Sequence, residues 1–232
     1  MDGRTTLLTL RLVKVLVVDI GGSHVKLLSS GRRTPVKLPS GGDLTPPEMV
    51  RAVKAATKDW NYDAVSIGYP GPVVQSHPTR EPVNLGEGWV RYNYERAFGM
   101  PVRIINDAAM QALGSYEGGR MLFLGLGTGL GNTLVLDGTV IPLELAHLPY
   151  LDGTYEDYLG EAGMKRLGQR KWRRHLEIII DLFMEALIAD YTVLGGGNVR
   201  FVEGLPPNTR RGSNLNAFRG GFRLWKKGVS LT

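Results

Sequence analysis

Val15-Leu16-Val17-Val18-Asp19-Ile20-Gly21-Gly22-Ser23-His24-Val25-Lys26 is an apolar run that ends in a carboxylate, turns through Gly-Gly and re-enters an apolar segment. A second stretch of the same design follows in the other half of the chain: Met121-Leu122-Phe123-Leu124-Gly125-Leu126-Gly127-Thr128-Gly129-Leu130-Gly131-Asn132. One glycine-rich turn says little, because ordinary hairpins also use glycine where the backbone needs positive φ. Two such turns, each leaving one buried strand and entering another, predict a pair of backbone cradles facing an anionic, phosphoryl-type group.

The surrounding pattern repeats with them. Val13 to Asp19, Val25 to Ser29 and Pro35 to Leu38 read as a β meander, and Pro46-Pro47-Glu48 opens a helix reaching about Asp59. Asp63 to Gly68 and Pro101 to Ile105 read as fully buried strands, and Tyr92 to Phe98 as a short helix. Asn106-Asp107 caps a helix through about Tyr116. The second half then gives a meander over Met121–Gly125, Asn132–Leu136 and Thr139–Leu143, with Asp137-Gly138 as its hairpin turn. Helices follow over Tyr155–Leu167 and Lys171–Leu187, then a strand over Asp190–Leu194 and a final helix over Asn214–Trp225. The prediction is an α/β protein of two structurally duplicated domains, residues 1–105 and 106–232, flanking a cleft, with the final helix packing back near their junction.

Composition bounds the function. Of 232 residues, 43% are hydrophobic and 22% charged, as in folded globular domains. No apolar run is long enough to span a bilayer, and Arg4 and Arg11 interrupt the leucines of residues 1–14, which read as a leader or part of a first strand and not as a signal peptide. The absence of cysteine excludes disulfides, thiolate catalysis and cysteine-ligated zinc. A net charge of +6 favours anionic ligands. The basic residues are dispersed, and the run from Arg166 to Arg174 lacks interleaved aromatics, so it reads as a solvated helix face and not as a nucleic-acid platform.

Taken in order, the Asp19–Lys26 turn, Gly68-Tyr69-Pro70-Gly71-Pro72-Val73, Asn106-Asp107-Ala108, Leu126-Gly127-Thr128-Gly129-Leu130-Gly131, Glu144-Leu145-Ala146-His147 and Leu194-Gly195-Gly196-Gly197-Asn198 resemble the motifs of ROK-family sugar kinases. The likeness is nearest to the short, zinc-free branch that includes polyphosphate glucokinases. It implies the duplicated ribonuclease-H-like fold of actin-like ATPases and transfer of a phosphoryl group from ATP or polyphosphate to a hexose, most simply glucose. Asp107 resembles the family's catalytic base, and Asp19 the carboxylate that holds hydrated magnesium. Gly21, Gly22, Ser23 and Lys26, with Gly127, Thr128 and Gly129, are the implied phosphate contacts. Asn84, Asn106, Glu144, His147 and Glu156 are the implied sugar contacts beside Asp107, and Gly195, Gly196, Gly197 and Asn198 the implied adenosine site.

Two departures stand out. Ala146 replaces the glycine of the family's Glu-x-Gly-His element, and only eight residues separate His147 from Glu156, where larger members carry a zinc loop. His147 is therefore not read as a zinc ligand. Lys26, Arg170 and Lys171 are candidate polyphosphate contacts. The resemblance further implies a cytoplasmic enzyme, a homodimer as in many relatives, and no nucleic-acid or membrane partner. The competing reading is a non-catalytic sugar or nucleotide sensor of the same fold, for which the altered Leu143 and Ala146 are the motive.

Overall fold

The computed structural model describes residues 13–213 and 215–231. The leader assignment for residues 1–14 and the Asn214 start of the final helix lie outside them, apart from Val13 and Lys14. In chain order the first half comprises β1 (Val15–Ile20), β2 (His24–Ser29), β3 (Val36–Pro39), α1 (Pro46–Ala56), β4 (Ala64–Tyr69), β5 (Val73–Val74), β6 (His77–Pro78), α2 (Tyr94–Phe98), β7 (Val102–Asn106) and α3 (Asp107–Ser115). The second half comprises β8 (Arg120–Leu126), β9 (Leu130–Leu136), β10 (Thr139–Leu143), β11 (Pro149–Tyr150), β12 (Gly153–Thr154), α4 (Tyr155–Leu159), α5 (Glu161–Leu167), α6 (Gln169–Leu187), β13 (Tyr191–Gly195), β14 (Thr209–Arg211), α7 (Asn216–Arg223) and β15 (Ser230–Leu231).

Two mixed sheets organise the chain, in the orders β3-β2-β1-β4-β7 and β14-β13-β8-β9-β10-β15. In each, a central strand pairs antiparallel with the next strand of its meander and parallel with a later strand: β1 with β2 and β4, β8 with β9 and β13. The two glycine turns are therefore equivalent, each joining the central strand to its antiparallel neighbour. β1 is buried along its whole length, which explains why its sequence is a continuous apolar run with no alternation.

Helices α3 and α7 lie between these sheets. Met110, Leu113, Phe218 and Leu224 from the helices share one core with Val15 and Val17 of β1 and Val140 of β10. Their crossing is close enough to require glycine: a Cβ at Gly114 would stand 1.8 Å from the Asn216 carbonyl oxygen, and one at Gly220 1.8 Å from that of Met110. Arginines tie off the helix ends. Arg223 donates to the carbonyls of Leu113 and Tyr116 at 2.7 and 2.8 Å, while Arg103 stacks on Trp225 and donates to the carbonyl of Leu224. The last carbonyls of α3 thus find a charged donor in place of water.

Two expectations need correction. The predicted single helix over Tyr155–Leu167 is broken at Gly160, because the Thr128 carbonyl sits there and accepts the Glu161 amide at 3.1 Å. The 101–105 segment is not a fully buried strand: β7 is the sheet edge, with β4 its one strand partner, and exposes Arg103. Among the described residues, no helix is long and apolar enough to cross a membrane.

Candidate functional site

The site is built where the ends of β1 and β8 meet the start of α3. Asn106 closes β7 and serves as the N-cap of α3: its Oδ1 accepts the Ala109 amide at 3.1 Å, and its Nδ2 donates to the Gly71 carbonyl at 3.1 Å. With Asn106 in the cap, Asp107 is free to present its carboxylate at the helix's first turn, where the unpaired amides favour negative charge. Its Oδ1 accepts the Ala108 amide at 2.8 Å.

Asp107 is half-buried by accessible area, yet enough protein crowds it that desolvation is the main influence on its titration. That burial, and then the negative charge of Asp19, push its pKa up to about 7, against the opposing pull of the Ala108 amide and the Lys26 ammonium. Two carboxylates from distant parts of the sequence are thus near enough to sense each other. Asp19 is buried at the end of β1, and its Oδ2 accepts from Lys26 Nζ at 3.1 Å. The pair follows from strand register, because Asp19 and Lys26 face each other across β1 and β2. Gly68 lies opposite Asp19 on the other flank, where a Cβ would stand 3.4 Å from Asp19 Oδ1 and 2.3 Å from the Met110 methyl.

The second glycine turn arrives from the other side. A Cβ on Gly131 would stand 2.9 Å from that of Ala108, next to Asp107. This turn is braced by side chains. Glu156 Oε2 accepts the Leu130 amide at 2.9 Å, and Asn198 Nδ2 donates to the Gly127 carbonyl at 3.0 Å. Buried Asn132 spans the Leu130 carbonyl at 3.0 Å and the Leu145 amide at 2.9 Å. The first turn is open by comparison: Gly22 and Ser23 are exposed, and the exposed Asn84 lies against them, its Cβ 3.5 Å from where one on Gly22 would stand.

Glu144 and His147 flank the short 3-10 turn Leu145–His147, largely exposed and 3.8 Å apart between Oε2 and Nε2. Asn132, one residue beyond Gly131, anchors that turn and so holds it on the side of the second glycine loop. Ala146 is buried against the surrounding apolar core, in a backbone conformation any residue adopts, so its substitution for glycine introduces no strain.

The structure therefore brings Asp19, Lys26, Asp107 and the Gly127–Gly131 turn together, with Asn106 beside Asp107 as the cap of α3. Glu156 is at the site, with one carboxylate oxygen committed to the turn. In the Gly195–Asn198 segment, Gly195 is required by the Phe123 ring, 2.3 Å from where its Cβ would stand, and Gly196 by its φ of 85° and the Leu126 carbonyl. Packing alone accounts for these two glycines, whereas a Cβ on Gly197 would meet open space. Arg170 and Lys171 lie on the exposed start of α6. The bracing by Asn132 and Asn198 was not assigned from sequence; a buried asparagine beside a glycine turn was the signal available.

A magnesium ion fits this chemistry. The ion keeps most of its waters and asks the protein for one or two carboxylates beside substrate phosphates, and buried Asp19 at the foot of the first turn supplies one. Among the described residues no cluster of three or more His, Asp or Glu could hold a metal unaided.

No family model matches the chain. It is 25% identical over 203 residues to a polyphosphate glucokinase of Mycobacterium leprae, a match covering 78% of this chain and 62% of that relative. Among solved structures, the inorganic polyphosphate/ATP-glucomannokinase of Arthrobacter sp. strain KM superposes with a TM-score of 0.75 at 20% identity, covering 90% of this chain and 97% of that one. A ROK-family glucokinase of Streptomyces griseus, in complex with glucose and AMPPNP, gives 0.70 at 18% identity over 91% and 98%. The fold is that of these sugar-kinase structures. Polyphosphate glucokinases are relatives in sequence, and the proteins so named are phosphotransferases.

Proposed function

We propose that this protein is a sugar kinase that transfers a phosphoryl group from ATP or polyphosphate to a hexose, glucose first among candidates, between two domains that divide near residues 105–106. The observation that carries the reading is Asp107, a carboxylate with its pKa pushed up to about 7, standing between Asp19 and the second glycine turn. A base of that strength is available at neutral pH and can accept a hydroxyl proton during attack.

In this reading the hexose hydroxyl attacks the terminal phosphorus, its proton passes to Asp107, and the bond to the donor's bridging oxygen breaks. Phosphoryl transfer demands positioning and charge neutralisation more than covalent chemistry. Asp19 would hold hydrated magnesium, which neutralises the phosphate oxygens when bound. Gly21, Gly22 and Ser23 supply amides on one side and Gly127, Thr128 and Gly129 on the other, with Lys26 adding a positive charge at Asp19. Asn84, Asn106, Glu144, His147 and Glu156 would bind the sugar hydroxyls, Glu156 through Oε1, since Oε2 holds the turn. The Gly197–Asn198 segment would receive the base of ATP. The supporting points are the convergence of Asp19, Asp107 and the second turn, the placing of the Glu144–His147 element beside that turn by Asn132, and the sugar-kinase relatives.

A panel of hexoses against ATP and polyphosphate with magnesium tests the proposal, read as sugar phosphate formed. Turnover of glucose with either donor supports it. Sugar binding by calorimetry with no turnover for any pair replaces it with a sensor.

A further inference from the structure

The Glu144–His147 turn and Glu156 are joined by a hairpin that is too small to hold its own shape. Its strands β11 and β12 are two residues each, and an isolated hairpin is marginal in water even at greater length. Its tip adds strain in place of support: Leu151 is 72% exposed with φ of 53°, a left-handed conformation that glycine or asparagine occupies more easily. What fixes the hairpin therefore lies outside it.

A cluster of rings does so. Tyr150 of β11 stacks on Tyr155 of α4, with centroids 4.9 Å apart and planes at 25°, and meets Tyr158 of the same helix edge-on at 5.0 Å. From α6, His175 packs on Tyr158 at 4.7 Å and on Tyr150 at 5.8 Å, and its Nδ1 lies 3.0 Å from Tyr150 Oη. Burial, and then the charges of Arg166 and Arg174, hold His175 below its ordinary pKa, so at neutral pH the ring is uncharged and can accept the tyrosine's hydrogen bond. Tyr158 donates to Asp152 at the hairpin turn, and Trp172 Nε1 of α6 donates to the Leu159 carbonyl at 3.0 Å, tying down the far end of α4. Tyr150 is the member that touches the hairpin, α4 and α6 at once.

We propose that Tyr150 is a positioning residue: by locking the hairpin and α4 onto α6, it sets where Glu156 stands against the Leu130 amide and against the Glu144–His147 turn. Both ends of the hairpin lead directly into that element. Its base is closed by the Tyr155 amide on the Leu148 carbonyl at 3.2 Å, next to His147 on one side and Glu156 on the other. Glu156 then reaches the second glycine turn through the Leu130 amide at 2.9 Å. The ring packing carries the lock, and the bond to His175 adds to it. The sugar-binding side of this proposal rests on the kinase reading, whereas the contact between Glu156 and Leu130 does not.

Amide hydrogen exchange read by NMR, together with steady-state kinetics, tests it on the 232-residue chain. Tyr150→Ala is expected to speed exchange of the Leu130 amide about tenfold, while the amides of β1 exchange as in the wild type. The same variant is expected to raise the hexose KM about tenfold and to leave kcat within about twofold, as when binding is lost equally from ground and transition states. A merely structural loss of stability would lower the active fraction and leave KM alone. Tyr150→Phe keeps the stacking and is expected to restore both readouts to wild type. If circular dichroism shows that Tyr150→Ala does not fold, Tyr150→Leu, which keeps apolar bulk without a ring, takes its place with the same direction expected in both. Unchanged Leu130 exchange, an unchanged hexose KM in an active enzyme, or a phenylalanine variant as impaired as the alanine one overturns the proposal. A wild type that turns over no hexose overturns the kinase reading instead, and Leu130 exchange then decides the positioning role alone.

Discussion

The two glycine turns occupy equivalent places in sheets whose strand orders correspond apart from the extra β15 of the second, yet they are built differently. The turn at Gly21–Ser23 is exposed and carries charge at its foot, the Asp19–Lys26 pair. The turn at Gly127–Gly131 carries no charge of its own and is locked by Glu156, Asn198 and Asn132. One topology thus carries two constructions: a charged pair at the foot of the first turn and side-chain braces on the second. Asp107 stands where they meet, at the head of a helix packed between the sheets, so its titration is set first by burial and then by the charge of Asp19.

That division makes predictions of graded size. Asp107→Asn is expected to lower kcat by about a thousandfold or more with the hexose KM little changed, as for loss of a general base; steady-state kinetics decides, and near-normal turnover would remove Asp107 from the chemistry. If Asp107 is the base proposed above, wild-type kcat/KM is expected to rise with pH to a plateau through about pH 7, where its pKa stands. Asp19→Asn is expected to raise the magnesium requirement and to lower turnover by about a hundredfold, as loss of one charge contact in a dry site does. Direct titration of magnesium by calorimetry separates that from misfolding.

The stability of the free protein gives a subtler test. The Asp107 carboxyl keeps its proton up to about pH 7 in the fold, whereas in the unfolded chain it ionises near 3.8. Between those values the native state binds more protons than the unfolded state, so this residue's contribution falls as pH rises through the window and stays low above it. Asp107→Asn removes the dependence. Above pH 7 its melting temperature is expected to exceed that of the wild type by about 10 °C, and at pH 4 the two are expected nearly to coincide. The smallest effect belongs to the brace: Glu156→Ala removes an acceptor from the Leu130 amide, costs about 1 kcal/mol, and raises the donor KM and the hexose KM severalfold. If it abolished turnover as Asp107→Asn does, the contrast between a charged turn and a braced turn would fail.

Much of the architecture was legible because burial writes itself into sequence. A central strand covered on both faces reads as an apolar run, as β1 and β8 do, and Asn106-Asp107 before an apolar helix reads as a cap. The break at Gly160 was not legible, because its cause is the Thr128 carbonyl brought in from another segment. Nor was the edge position of β7, since pairing on one side only leaves little mark on so short a strand. At the site, residue identities were readable one by one, but their occupations were not. Lys26 is engaged with Asp19, Glu156 has one oxygen on the second turn, and Asn198 braces Gly127.

By itself the sequence determined the two meanders, the places of their glycine turns and the candidate carboxylates, because local burial and backbone permissiveness leave direct signatures in residue type. Only the tertiary structure decided that Asp19 and Asp107 sense each other and that the second turn closes on Ala108. Electrostatic coupling and desolvation depend on distance in space, which strand register and the glycine-lined crossing of α3 and α7 set, and which no linear spacing records.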